Sequence, residues 1–190
     1  MLLEIKEELI AELGLEENSN GLNQLVEGDS RYIRDLKLNV NTALDAEHLT
    51  AKEAHLIGLA IAVNNKSKPL TEFFKNRAKE LEASDAEIAE AIACASLMSA
   101  NNILYRFRHF ANSDKYQNMP ARMRMNIMAK PVLGKELFEL ISLAVSAVNG
   151  CEACVKSHET SVINLGSDEQ RIFDAIRIAS VITSLDKVTG

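Results

Sequence analysis

Turn-forming residues are scarce in this chain, with three prolines and eight glycines in 190 residues, and strict alternation of apolar and polar positions is almost absent. Without those signals there is little to specify strands and hairpins, and the expected fold class is all-α. No apolar run reaches the roughly 18 residues expected of a membrane span. A basic excess is missing too: 21 Lys and Arg stand against 27 Asp and Glu, a net charge of −6. That balance argues against nucleic acid or an anionic membrane as partner, since both select basic surfaces. The opening MLLEIKEELIAEL lacks the basic start and continuous apolar core of a secretory signal, so a cytoplasmic protein is expected. Cysteine is rare as well, with three in all, and two of them form a Cys-x-x-Cys at Cys151 and Cys154. In a reducing compartment such a pair is more readily catalytic or metal-binding than a structural staple.

What is present is helical periodicity. Leu2, Ile5, Leu9, Ile10 and Leu13 predict a helix over 2–13, stopped by Gly14. The polar stretch Glu16–Gly21 reads as a loop. Ile33, Leu36, Val40 and Leu44 predict a helix over 32–44, and Thr50-Ala-Lys-Glu53 is a capping box opening an apolar helix through Val63.

A shift of 84 residues lays His55-LIGLAIAVNN on Glu139-LISLAVSAVN without a gap. The register continues through Leu81 on Leu165 and through Ile88, Ala91, Ile92, Ala95 and Ser96 on Ile172, Ala175, Ile176, Ala179 and Ser180. The capping box Ser84–Glu87 falls one residue away from Ser167–Gln170. The chain is therefore expected to be a single domain, 1–190, with helical units at about 51–104 and 135–188 joined by 105–134. Chemistry separates the two copies. Cys151, Cys154, His158 and Glu139 fall on Ser67, Leu70, Phe74 and His55, so the second copy is expected to be the active one. In the joining segment, Met119, Met123, Met125 and Met128 have partly helical spacing and read as core or subunit-interface packing.

Asn149-Gly150 separates two helices and leaves Cys151 near the start of the second, where the helix dipole favours a thiolate. Cys154 and His158 follow on the same face, close enough for a disulfide and for proton transfer. If the chain reverses at Asn149-Gly150, Glu139 and His158 both lie ~12–15 Å from the bend on facing helices. Glu139 is the only charge in FELISLAVSAV; a carboxylate in such surroundings needs a partner and is suited to act as a base. A relay from Glu139 through His158 to the cysteines follows. It would support a cycle in which one thiolate attacks a peroxide to give a sulfenic acid and the other thiol closes a disulfide. The helix start favours Cys151 as that thiolate; nearness to His158 favours Cys154. Zinc is the competing use of Cys, Cys, His and Glu, although three ligands from two turns of one helix make a poor closed site. Cys94, on an apolar stripe, reads as a core thiol; His48, His55 and His109 have no evident partners in sequence.

Glu-x11-Cys-x2-Cys-x3-His, with YRFRHF at Tyr105–Phe110 and MPARMRMNIMAKP at Met119–Pro131, resembles the alkylhydroperoxidase D (AhpD) family. That family lies within the carboxymuconolactone decarboxylase-like superfamily of helical proteins. The resemblance implies an antioxidant enzyme that reduces organic hydroperoxides and passes electrons to the peroxiredoxin AhpC. It implies Cys154 as the sulfenic-acid cysteine, Cys151 as proton donor and resolving thiol, and His158 and Glu139 as proton relay. It also implies dihydrolipoamide on a lipoylated dihydrolipoamide acyltransferase as reductant, no bound cofactor or metal, and a homotrimer. One position departs: where some members carry a histidine just before the second cysteine, this chain has Ala153, preceded by Glu152. A carboxylate there would disfavour the Cys154 thiolate. A disulfide-exchange adaptor or redox sensor with little peroxidase activity is accordingly the runner-up, and a metal-binding helical oligomer the third reading.

Overall fold

The structure is a computed structural model that describes residues 1–15 and 19–189; among them are ten α-helices, one short 3-10 turn at Asn126–Met128, and no strand. Two helices form the centre. In α4 (Ala51–Asn64) every residue from Ala54 to Ala62 is buried, and in α8 (Lys135–Val148) burial is nearly as complete. Helices apolar on all sides belong in a core, enclosed by others that are apolar on one side only.

Those others are α5 (Lys68–Glu80), which folds back on α4, and α9 (Glu152–Asn164), which folds back on α8. The 27-residue α6 (Asp85–Ala111) packs against both α4 and α8, as does α10 (Glu169–Thr189). The N-terminal helices α1 (Leu2–Leu13), α2 (Asn20–Glu27) and α3 (Tyr32–Leu44) pack on one another, and α2 and α3 cover α10. A four-residue α7 (Asp114–Gln117) follows α6.

Adding 84 to the bounds of α4 and α5 gives those of α8 and α9, and α6 and α10 begin 84 residues apart. Capping boxes fix the starts of α4 and α6. The Thr50 and Ser84 hydroxyls each accept from the backbone N–H three residues on, and Glu53 and Glu87 return the bond. Such caps are typically worth ~1 kcal/mol each. At α10 the expected box on Ser167 does not form. Asp168 accepts from the Arg171 N–H at 2.8 Å, while Ser167 donates instead to Glu136. The N-cap of α10 thus lies 84 residues after Ser84, with no offset.

Other sequence expectations also need correction. Asn20 and Gly21 belong to helix α2 rather than a loop, while Glu16–Asn18 lie outside the described residues. Glycine at position 21 is set by packing: a Cβ there would come within 2.6 Å of the Val188 backbone, so the close approach of α2 to α10 at this point requires a missing side chain. The boundary near residue 104 is not a break, because α6 runs on to Ala111 and carries Tyr105–Phe110 as helix. Met119 and Met123 lie in irregular chain, and of the four methionines only Met128 falls within a helical turn, Asn126–Met128.

Candidate active site

Helix α8 ends at Val148, the chain turns through Asn149 and Gly150, and Cys151 is the N-cap of α9. The corner is fixed by a set of partly and fully buried polar groups. The Asn149 side-chain amide donates to Asn64 Oδ1 at 3.1 Å and Asn102 Oδ1 at 2.9 Å, and its carbonyl accepts from Asn64 at 3.0 Å. Asn102 in turn donates to Ser146 Oγ at 2.9 Å, and Arg106 donates to the Asn149 main-chain carbonyl. At its buried end, Asn102 and Ser146, such pairing holds one geometry, because an unpaired alternative there leaves a desolvated group.

On this corner Cys151 and Cys154 are joined as a disulfide, with Cα atoms 5.3 Å apart. Cys151 is wholly buried, whereas Cys154 retains 6% exposure. One turn further, His158 Nδ1 lies 2.6 Å from Glu139 Oε2, both groups largely enclosed. This contact fixes one ring nitrogen of His158 on the carboxylate and leaves Nε2 for other use. Cys154, Ala153, Ser157 and His158 form one wall of a pocket of about 170 Å³; the other wall is Asn101 and Tyr105 of α6 with Met125 and Met128. The four residues singled out from sequence are therefore gathered around one corner, and two of them, Cys154 and His158, face the pocket.

Glu152 sits differently from the sequence reading. Its exposed carboxylate is bound by Lys156 and lies 3.4 Å from His109 Nε2, and the Lys156 ammonium, with His109, holds its pKa below the usual range. A carboxylate so compensated weighs little on the Cys154 thiolate. His109 and His48 both have partners, the latter Asp174 at 3.0 Å. Cys94 is buried against Ser142 Oγ at 3.3 Å, and burial pushes its thiol up to about 12, so it stays protonated and inert. Among the described residues no group of three or more His, Cys, Asp or Glu is arranged to hold a metal ion. A larger hollow of about 880 Å³ between α1 and α5 has no cysteine or histidine in its lining. No helix among the described residues is long and apolar enough to cross a membrane.

Sequence comparison places this corner in a family. An alkyl hydroperoxide reductase AhpD from Anaeromyxobacter dehalogenans is 42% identical over 149 residues, covering 78% of this chain and 80% of that protein. The chain belongs to the AhpD family. AhpD proteins from Solibacter usitatus and Coxiella burnetii are 41% and 38% identical over 86% and 83% of this chain, covering 92% and 90% of their own lengths. The carboxymuconolactone decarboxylase family model matches residues 114–189. A solved structure described as a gamma-carboxymuconolactone decarboxylase subunit from Burkholderia xenovorans shares the fold. Its TM-score is 0.70 at 14% identity, covering 100% of this chain and 93% of that one.

In this AhpD-family chain the part that sequence reading missed is the contribution of α6. Asn101, Asn102, Tyr105 and Arg106 supply the far wall of the pocket and the bonds that fix the corner. A signal was available: two successive asparagines within a long helix are poor helix formers and need another reason to be there. Met125 and Met128, read as packing residues, also line this pocket.

Proposed function

We propose that this chain is a dithiol peroxidase that reduces organic hydroperoxides. One observation carries the reading: His158, held by Glu139 at 2.6 Å, lines the same pocket as Cys154, the more exposed residue of the Cys151–Cys154 disulfide. The names of the AhpD relatives support the same activity.

In the reduced protein the Cys154 thiolate attacks the hydroperoxide. An S–O bond forms as the O–O bond breaks, and the electron pair leaves with the alkoxide, which takes a proton through His158 and Glu139. Cys151 then displaces hydroxide from the Cys154 sulfenic acid, giving water and the disulfide. The greater accessibility of Cys154 and its place beside His158 favour it as the attacking thiol, with the buried Cys151 as proton donor and resolving thiol. Two electrons from a lipoyl dithiol, carried on a dihydrolipoamide acyltransferase, restore the pair, and the reduced pair can also pass electrons to AhpC. A reducing cytoplasm suits this cycle. Phe107, Phe110 and Met119, exposed on and after the end of α6, are the apolar surface on which a homotrimer would form.

A second reading, disulfide exchange with little peroxidase activity, is favoured by Ala153, which places no proton-donating group in the pocket beside Cys154. Thiol counting separates the two. Reduced protein given one equivalent of cumene hydroperoxide should lose two thiols and turn over when dihydrolipoamide is supplied, with AhpC increasing the flux. Thiols that survive the peroxide but exchange with oxidised lipoamide would establish the second reading.

A further inference from the structure

Of the polar side chains that line the pocket beside Cys154 and that the cycle above does not use, Asn101, Tyr105 and Ser157, only Asn101 is buried. Asn101 is 4% exposed and lines the pocket. Its amide nitrogen reaches only the Met125 thioether, at 3.6 Å, and its carbonyl oxygen is buried with no hydrogen-bond partner among the described residues. A thioether is a weak acceptor, so the amide is poorly satisfied at both ends. Its neighbour Asn102, by contrast, is fully engaged in the corner network. A buried amide left in this state is costly to the fold, and such groups are found where a ligand completes them.

We propose that Asn101 is the positioning residue for the hydroperoxide, its side-chain oxygen accepting the hydrogen bond of the substrate O–H. This rests on the peroxidase reading above and adds how the substrate is oriented. The hydroperoxide is a donor through its single O–H, and the orphan group on the pocket wall is an acceptor. Held there, the hydroxyl oxygen is the one presented to Cys154 on the opposite wall. The S–O bond forms at that oxygen and the O–O bond breaks. The hydrogen stays with the oxygen in the sulfenic acid, so the Asn101 contact persists through the step, while the alkoxide receives its proton from the His158 side. The Tyr105 ring and the Met125 and Met128 side chains offer largely apolar surface to the rest of the substrate. At about 170 Å³ the pocket is smaller than the roughly 300–1,000 Å³ of sites for drug-sized ligands, so it suits a hydroperoxide with a compact apolar substituent.

The test uses Asn101→Leu, similar in size and without an acceptor, and Asn101→Ala, which introduces no side chain needing to be fitted. Rapid mixing of reduced protein with cumene hydroperoxide should show second-order thiol loss slowed about ten- to a hundredfold in both. Reduction of the Cys151–Cys154 disulfide by dihydrolipoamide, which involves no hydroperoxide, should change by less than about threefold. The melting temperature of Asn101→Leu should equal or exceed that of wild type, because an unsatisfied amide has been replaced by an apolar group. Wild-type rates of thiol loss in either variant overturn the assignment. So does equal loss of both reactions, or a lower melting temperature in Asn101→Leu, since these mark Asn101 as structural. Wild type that fails to react with the hydroperoxide at all refutes the peroxidase reading instead, and is recognised before any variant is made.

Discussion

The α4–α5 corner and the α8–α9 corner have the same helix bounds, displaced by 84 residues, yet the first sets a histidine against a phenyl ring where the second sets a histidine against a carboxylate and adds a disulfide. At the first, His55 bonds the Ala51 carbonyl at 2.7 Å and packs on Phe74, ring centres 5.9 Å apart. At the second, Glu139 and His158 occupy those two positions and bond each other at 2.6 Å. Gly58 completes the contrast: a Cβ there would fall within 2.4 Å of the Phe74 ring, whereas its counterpart Ser142 has its hydroxyl bonded to Phe138 and Cys94. The backbone of the corner needs neither the cysteine pair nor a glutamate–histidine contact, since the first corner forms with Ser67, Leu70, Phe74 and His55 in those positions. What distinguishes the second is its use, and the two corners should respond to mutation in different currencies.

The largest expected effect is on stability and belongs to the first corner. Phe74 is fully buried, and Phe74→Ala should cost about 3–5 kcal/mol in urea unfolding, the sum of lost transfer energy and a cavity. The rate of thiol oxidation by hydroperoxide in the folded fraction should stay within twofold of wild type. A matching loss of rate would mean that the two corners are coupled and that the comparison fails.

A smaller effect concerns pH. Burial holds the His55 pKa below its ordinary value, opposed in part by the Ala51 carbonyl. Above about pH 6.5 the histidine is neutral both folded and unfolded, and contributes no pH dependence. Below it the unfolded chain takes up a proton that the folded chain refuses, so stability falls as pH drops, levelling off beneath the lowered folded value. Urea midpoints at pH 7.5 and pH 5.5 should therefore differ less in His55→Leu than in wild type. Parallel shifts in the two proteins would remove His55 as a source of acid sensitivity.

These comparisons also show which features a reader of the sequence can find. Helices α1, α3 and α4 are marked by local signals: apolar spacing, the Gly14 stop, and the Thr50 box. Helix α2 is hidden because Gly21 looks like a breaker, and only the approach of Val188, far along the chain, explains it. The closeness of Glu139 and His158 is legible because both are counted from one bend, and helix rise converts count into distance. The opposite wall of the pocket is not legible that way. Asn101, Tyr105, Met125 and Met128 reach Cys154 through packing between α6 and the α8–α9 pair, which no local pattern encodes. For the same reason the sequence left His109 unpaired and gave Glu152 an uncompensated charge, although the two are 3.4 Å apart.

The central claim is that Cys154 is the sulfur that meets the peroxide, served by His158 and Glu139. Reduced Cys151→Ser protein, mixed with one equivalent of cumene hydroperoxide and dimedone, tests it by locating the trapped sulfenic acid with peptide mass spectrometry. The account predicts the adduct on Cys154, forming on the order of a hundredfold more slowly when Glu139→Gln is added. An adduct on Cys94, or none on Cys154 while Cys154→Ser protein traps it on Cys151, would contradict the account.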